Sequence, residues 1–290
     1  MNYADNLKQA EKGAWISIIA YITLSIIKLL IAYVGDSDAL RADGLNNATD
    51  VIASIAVLVG LKISRKPPDN DHPYGHYRVE TIASLFAAFI MAFIGIQVIF
   101  DTFQKVISNK VSEAPNLLTA WTALGAAIVM FFVYQFNVKL AKKIESSSLN
   151  AAAQDNKSDA LVSIGAFVGI IGAQFGLFWL DPLAGFVVGI IICKTALDIF
   201  REATLTLTDG FEEDRLKEIQ ASIEKVKEVK EVIDVKGRIH GNQSLLDVTI
   251  LVDPNLNVIQ SHRITEDIEN YLYDQHKITY VHIHIEPYCK

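Results

Sequence analysis

The chain contains six apolar segments, each long enough to cross a lipid bilayer, and this feature restricts its fold more than any other. They cover about 14–34, 39–63, 79–103, 117–136, 149–177 and 181–200. About 20 apolar residues of α-helix span a bilayer's hydrocarbon core, and a helix satisfies all its backbone hydrogen bonds internally. Because 51% of the residues are hydrophobic and mean hydropathy is +0.28, the sequence predicts an α-helical membrane domain with six transmembrane helices.

Basic residues flanking these segments predict the orientation of the chain, since cytoplasmic ends carry more Lys and Arg. Six spans place both termini on one side. The basic residues on that side are Lys8, Lys12, Arg65, Lys66, Arg78, Lys139, Lys142, Lys143 and Arg201; those on the other are Arg41, Lys105 and Lys110. We therefore expect a multi-pass protein of the cell (plasma) membrane with both termini in the cytoplasm. The first 15 residues lack the features of a secretory signal and are interpreted as a short amphipathic leader.

The sequence changes character after residues 208–210. Residues 212–225 and 257–275 are typical of helices, whereas 229–239, 245–252 and 278–286 alternate as strands do. The first two strands are joined by His240-Gly241-Asn242-Gln243, which favours a hairpin. The order αββαβ predicts a small α+β domain. We therefore divide the chain into a transmembrane domain, 1–208, and a cytosolic domain, 209–290.

A polar repeat interrupts the second and fifth apolar segments. Asn46 and Asp50 are four residues apart in one, and Asp155 and Asp159 are four residues apart in the other. That spacing stacks two side chains on one helix face. A carboxylate near mid-bilayer costs about 2.5–3.5 kcal/mol, so three of them require a partner, and a divalent cation would serve. The alternative is hydrogen-bonded contact between helices with no ion bound.

Composition argues against several other functions. A net charge of −7 makes nucleic acid an improbable partner. Two cysteines, Cys193 and Cys289, form neither a disulfide framework nor a Cys-rich zinc site. The chain lacks His-Glu-x-x-His and shows no nucleophile beside a general base, so an enzyme is not expected. A non-transporting metal sensor or scaffold stays open as an alternative.

Together these features resemble the cation diffusion facilitator family. The resemblance covers nearly the whole chain: six membrane helices and a cytosolic αββαβ domain of metallochaperone-like fold. It implies a homodimer in the lipid bilayer that exports divalent metal from the cytoplasm in exchange for protons. It also implies that Asn46, Asp50, Asp155 and Asp159, here called the quartet, form the transport site.

The quartet's composition favours manganese as the exported metal. Zinc-exporting members of the family usually place His at the position of Asp155, and the quartet contains no imidazole. An all-oxygen set suits a hard cation such as Mn²⁺, whereas Zn²⁺ gains more from nitrogen or sulfur. The quartet also resembles that of the manganese-exporting branch. Zn²⁺, Fe²⁺ and Co²⁺ stay open as alternatives.

Two further sets of residues match family metal sites. Asp69, His72 and His76, here called the loop triad, match a second zinc site between the second and third helices. The alternative is a turn whose imidazoles only make hydrogen bonds. The resemblance also pairs a basic residue at the start of helix three with an acidic residue after helix six, here Arg78 and Asp209.

The cytosolic domain keeps only part of the family's binuclear site. The matching residues are His262, His284 and Glu286, whereas Ile233 and Thr249 stand at two other ligand positions. His240 and His282 are alternative ligands, and exposed histidines without metal are a further possibility. We therefore expect this domain to regulate transport and to support the dimer.

Overall fold

The computed structural model describes residues 3–64, 66–107, 114–144, 147–240 and 243–288. Six long helices come first: α1 (Tyr3–Gly35), α2 (Asp38–Ser64), α3 (Arg78–Ile107), α4 (Leu117–Ile144), α5 (Ser147–Gln174) and α6 (Leu180–Leu207). The remaining elements are α7 (Glu213–Ile223), β1 (Glu231–His240), β2 (Gln243–Val252), α8 (Val258–His276) and β3 (Tyr280–Pro287). This order confirms the predicted fold class.

The contacts divide the chain into two units. One, here called the helical unit, comprises Met1–Ala56 and Phe86–Ile199; the other, here called the mixed unit, comprises Val57–Leu85 and Phe200–Lys290. The mixed unit thus contains the end of α2, the loop after it and the start of α3, in addition to the α+β elements. The helical unit contains all four residues of the quartet.

Five of the described helices, α1 to α4 and α6, are long and apolar enough to cross a membrane. α5 has 28 residues, as many as α4 and α6, but it carries the second polar repeat, and its mean hydropathy is correspondingly lower. One face of α3 exposes Phe86, Phe93 and Phe100 at 67%, 69% and 63%. Exposed aromatic side chains in this number are typical of a lipid-facing surface.

Three helices extend by seven residues or more beyond the apolar segments that predicted them. α4 continues to Ile144, so the charged stretch 139–143 is helical and not a connector. α1 begins at Tyr3, so most of the expected leader belongs to that helix, and α6 continues to Leu207. Ala, Lys, Leu and Gln are strong helix formers, and a helix needs no apolar surroundings to keep its backbone hydrogen bonds. The predicted turn residues Gly241 and Asn242, and the flanking basic residues Arg65 and Lys110, lie outside the described residues.

Asp181 ties the start of α2 to α6. Its carboxylate accepts a hydrogen bond from the Ser37 hydroxyl at 2.6 Å and another from the backbone N–H of Asp38 at 2.7 Å. Asp181 is buried, and a carboxylate suits the N-terminus of a helix because the first N–H groups there have no helical partner. This anchor sets the axial position of α2, and therefore the height of Asn46 and Asp50 within the helical unit.

The α+β elements form a three-stranded sheet in the order β1-β2-β3. β1 and β2 are antiparallel, with an irregularity between Val232 and Asp234, and β2 and β3 are parallel. One face of the sheet is covered by α7 and α8. The core consists chiefly of Ile219, Ile223, Leu246, Val248, Ile250, Ile264, Ile268 and Leu272. The other face exposes alternate residues of β3, among them His282, His284 and Glu286.

Candidate metal centre

The second and fifth long helices meet through their polar repeats. The Asn46 side-chain amide donates a hydrogen bond to Asp159 Oδ1 at 2.9 Å, and both side chains are buried, each 6% exposed. Helical spacing predicted one polar face on each helix, and this contact joins one residue from each face. The hydrogen bond uses the amide nitrogen of Asn46. Rotating the amide by half a turn would present its oxygen instead.

A tyrosine of α1 completes the surroundings of Asp159. The Tyr21 hydroxyl donates to Asp159 Oδ2 at 2.8 Å and accepts a hydrogen bond from Asn156 Nδ2 at 2.7 Å. Both carboxylate oxygens of Asp159 therefore receive neutral donors from the protein. Each oxygen keeps a second lone pair, so a cation can bind Asp159 while both hydrogen bonds remain. Tyr21 and Asn46 thus fix the orientation of the carboxylate.

The other two carboxylates of the quartet are less enclosed. Asp50 is half-buried, and its Oδ2 is buried with no hydrogen-bond partner among the described residues. The carboxylates of Asp159 and, more weakly, Asp155 repel it. Asp155 lies on an exposed face of α5. The described structure therefore brings Asn46 and Asp159 into contact. One carboxylate oxygen of Asp50 has no hydrogen-bond partner among the described residues, and Asp155 lies at the exposed edge of the site.

A polar stripe along α1 is the part of the site that sequence reasoning missed. Ser17, Tyr21, Ser25 and Lys28 follow one another at spacings of four, four and three residues, and all are buried. Such spacing places them on one face of the helix. Ser17 donates to Asn156 Oδ1 at 3.0 Å, and Ser25 donates to a backbone carbonyl of α2 at 3.0 Å. The signal was present in the sequence: four polar residues at helical spacing inside an apolar segment, one of them a lysine.

We expect the substitution Tyr21→Phe to lower the free energy of unfolding by about 1–3 kcal/mol, because it leaves Asp159 Oδ2 and the Asn156 amide buried without this partner. The measurement is urea unfolding of the purified protein in detergent. Tyr33→Phe on the same helix is the control, since Tyr33 is 90% exposed. Equal stability of the two variants would contradict the role given to the Tyr21 hydroxyl.

The loop triad forms a compact cluster in the mixed unit. Asp69 Oδ1 lies 3.0 Å from His72 Nδ1, and Asp69 Oδ2 lies 3.3 Å from His76 Nε2. The three ligand atoms lie within 4.8 Å of one another, and among the described residues this is the one such group of three imidazole, thiol or carboxylate side chains. Two nitrogens and one oxygen suit a borderline metal such as Zn²⁺.

The backbone of the loop holds the triad in place. The N–H of His72 donates to Asp69 Oδ1 at 2.7 Å, and the N–H of Gly75 donates to the His72 carbonyl at 2.9 Å. Gly75 has a φ of +85°, a conformation that favours glycine. Desolvation raises the pKa of Asp69, but hydrogen bonds from the backbone and ring of His72 outweigh it, and the pKa is lowered. Asp69 therefore stays ionised and able to bind a cation.

The loop also packs on the end of β1 within the mixed unit. The rings of Tyr77 and Tyr74 lie 5.6 Å and 6.4 Å from the ring of His240. Partial burial lowers the pKa of His240, and the charges of Arg78 and Arg238 lower it further. The predicted pair forms, since Arg78 donates to Asp209. Both side chains are well exposed, so the pair contributes about 0–1 kcal/mol.

The histidines of the α+β elements form separate pairs. His284 Nε2 lies 3.5 Å from Glu286 Oε1 on the same strand, whereas His262 Nε2 lies 3.6 Å from Glu266 Oε1 on its own helix. His282 faces Asp247 of β2 at 3.7 Å. Within the described residues, His262 is not grouped with His284 and Glu286. His240 packs on tyrosines and is therefore not an evident replacement ligand here.

We expect His76→Ala to remove one bound Zn²⁺ per protomer while leaving metal flux unchanged within about twofold, as is usual for substitutions outside a working site. Zinc binding is measured by isothermal titration of the purified protein. Asp71→Ala is the control because Asp71 is an exposed carboxylate of the same loop that lies outside the triad. A flux reduced to background by His76→Ala would show instead that the loop triad belongs to the transport path.

Long apolar helices with polar side chains buried between them are typical of a membrane transporter, and comparison with known families assigns the chain to one class of these proteins. The model of the cation efflux transmembrane domain matches residues 14–208, and that of the cation efflux protein cytoplasmic domain matches residues 211–288. The chain therefore belongs to the cation efflux family, which confirms the resemblance noted in the sequence.

Its relatives include two proteins that are named manganese efflux system proteins. It is 52% identical over 287 residues to the manganese efflux system protein MneS of Bacillus subtilis, covering 99% of both chains. It is 32% identical to the manganese efflux system protein MneP of the same organism, covering 96% of both. Among solved structures, the copper form of the MamM C-terminal domain is 29% identical, covering 26% of this chain and 74% of that one, with a TM-score of 0.25.

Proposed function

We propose that the protein exports Mn²⁺ from the cytoplasm in exchange for protons, with Asn46, Asp50, Asp155 and Asp159 as the transport site. The observation that carries this proposal is the buried contact between Asn46 and Asp159, with the bare oxygen of Asp50 nearby. The two helices that must hold the ion are already joined at the polar repeats. The sequence similarity to two manganese efflux system proteins supports the choice of metal.

The donor set supports manganese on chemical grounds. Three carboxylates and one amide supply oxygen ligands only, and water can fill the remaining positions of a cation that prefers six ligands. No histidine of the chain lies within the quartet's two helical segments. Zn²⁺ would gain less here, because its preferred sites are tetrahedral and include nitrogen or sulfur.

Exchange for protons follows from the charge that the ion leaves behind. Once Mn²⁺ departs, Asp50 and Asp159 stand together without the cation in surroundings of low dielectric, and the more exposed Asp155 adds a third negative charge at their edge. Like charges in such surroundings are unfavourable, and protonation relieves them. Protons entering from outside would therefore displace the metal and would neutralise the site on the return step.

The remaining features of the proposal concern the whole molecule. The basic residues at the helix ends favour both termini in the cytoplasm of a plasma-membrane protein. We infer that residues 1–208 transport the ion, whereas residues 209–290 regulate transport and stabilise a homodimer. The loop triad, which needs no rearrangement to offer three ligand atoms, would be an auxiliary metal site on the cytoplasmic side.

The test is manganese flux in reconstituted vesicles with an imposed pH gradient. We expect Mn²⁺ to move against its own gradient while the proton gradient lasts, and to stop when a protonophore collapses it. Vesicles without protein and vesicles at equal pH are the controls. Uphill manganese flux that persists with the protonophore would contradict the exchange, and uphill flux of Zn²⁺ alone would contradict the metal.

A further inference from the structure

A lysine lies buried in the centre of the helical unit, beside the transport site. The Lys28 side chain is fully buried, as are those of Asp43, Asn47 and Ser163. Its ammonium lies 2.9 Å from Asp43 Oδ1 and donates to Asn47 Oδ1 at 2.6 Å and to Ser163 Oγ at 3.0 Å. The Ser163 hydroxyl in turn donates to Asp43 Oδ1 at 3.2 Å. These four residues, here called the lysine cluster, join α1, α2 and α5.

The arrangement around Lys28 is that of a bound cation. Oxygens from three side chains surround a positive charge that is attached to α1 by its own side chain. A buried ion pair is costly unless it is well hydrogen-bonded, and removing one partner strands the other charge. Asp43 Oδ2 is buried with no hydrogen-bond partner among the described residues, so the cluster is incompletely satisfied in this conformation. The polar groups of such a cluster can exchange one hydrogen-bond partner for another when the helices move.

Three members of the lysine cluster lie on one side of the quartet, and the fourth, Asn47, is level with it. On α2, Asp43 precedes Asn46 by three residues, and on α5, Ser163 follows Asp159 by four. Both displacements, about one helical turn, point toward the end of the bundle where α1 passes into α2. Lys28 is likewise seven residues closer to that end than Tyr21. In the proposed orientation this is the extracellular end.

Tight packing continues beyond the lysine cluster. Ser25 Oγ donates to the carbonyl of Gly44 at 3.0 Å, and a Cβ added at Gly44 would meet the Lys28 side chain at 3.1 Å, so α1 and α2 pack closely here. The next layer toward the same end consists of small or aliphatic buried side chains: Ala32, Ala39, Leu40, Ala120, Ala123, Ala166 and Ile170. An ion leaving the quartet in this direction would meet the Lys28 ammonium first.

We propose that Lys28 and Asp43 form a latch that closes the extracellular half of the transport path. The inference rests on the proposed function for its direction. The ammonium holds α1, α2 and α5 together, and its charge repels a cation that approaches from the quartet. It also attracts the carboxylates of Asp50 and Asp159, so it acts on the transport site without touching the metal. Release of the metal ion to the outside then requires that the hydrogen bonds between the Lys28 ammonium and the oxygens of the cluster break.

The test measures access to Ala166, which is fully buried on α5 beyond the cluster. Ala166→Cys is placed in a full-length background with Cys193→Ser and Cys289→Ser, and a membrane-impermeant maleimide is added to intact cells and to inverted vesicles. With the latch intact, labelling should be slow. The double variant Lys28→Met with Asp43→Asn removes both charges together. We expect the cysteine at position 166 to be labelled from outside about tenfold faster, because the equilibrium between the closed and the open state shifts toward the open state.

Two further variants make the result specific. Ala153→Cys, equally buried on α5 but on the other side of the quartet, should label at an unchanged rate. Ser163→Ala, which removes one partner of the ammonium, should accelerate labelling of Cys introduced at position 166 by about threefold, so the latch can be tested even if the double variant fails to fold. Unchanged labelling in both latch variants, or equal acceleration at both cysteine positions, would overturn the proposal. Because labelling requires no flux, its outcome is independent of whether the protein carries manganese.

Discussion

Replacing Asp159 by Ala should lower manganese flux in reconstituted vesicles by at least about 100-fold. Even outer-shell partners of a metal commonly alter affinity 10- to 100-fold, and Asp159 is proposed as a direct ligand. It is also the acceptor for Asn46 of α2 and Tyr21 of α1, so its loss removes one hydrogen bond between α2 and α5 and one between α1 and α5. The measurement is initial Mn²⁺ uptake under a fixed pH gradient, normalised to folded protein.

Folding of the variant must be separated from its function. Asp159→Asn removes the charge but keeps one oxygen that can accept a hydrogen bond, and it should abolish flux while eluting as a folded protein on size-exclusion chromatography. Asp198→Ala is the matched control, because Asp198 is an exposed carboxylate on α6. Full flux in both Asp159 variants would show that the ion passes elsewhere.

Replacing Asp155 by His should shift the preference of the transporter from manganese toward zinc. The substitution supplies a nitrogen ligand, which favours Zn²⁺, and removes a negative charge, which weakens binding of Mn²⁺. Asp155 lies on an exposed face of α5, so the larger imidazole can be accommodated without displacing core side chains. We expect the ratio of zinc to manganese flux to rise by about tenfold or more, corresponding to about 1.4 kcal/mol.

The comparison requires both metals in the same vesicle preparation, for the wild type and the variant. Asp155→Asn is the control, because it removes the same charge but adds no imidazole. It should lower manganese flux without raising zinc flux. The assignment of manganese would be contradicted if the wild type already prefers zinc. It would also be contradicted if Asp155→His leaves the ratio of zinc flux to manganese flux unchanged.

Much of this architecture could be predicted because it depends on simple periodicities. Apolar segments long enough to span a bilayer have one stable form, the helix, and alternation identified the three strands. The i, i+4 spacing placed each polar pair on one helix face, whereas the resemblance to the family implied that α2 and α5 hold one common site. The ends of the helices were less predictable: the stretch 139–143 is charged, but charge does not stop a helix made of strong helix formers.

The surroundings of the transport site could be predicted only in part. Two residues of α1, Tyr21 and Lys28, contact the polar repeats from a helix that was interpreted only as an apolar span. Their spacing with Ser17 and Ser25 was visible in the sequence, but which helix that stripe faces depends on packing. The sequence could not predict that His262 pairs apart from His284 and Glu286 within one chain, because this depends on how α8 lies on the sheet.

The most direct test of the central claim is to locate bound manganese by its anomalous scattering in crystals of the full-length protein grown with Mn²⁺. The account predicts a peak between α2 and α5, within bonding distance of carboxylate oxygens from Asp50, Asp155 and Asp159. The Asn46 amide would be turned so that its oxygen faces the ion. Manganese found at the loop triad while the quartet stays empty at saturating Mn²⁺ would contradict it.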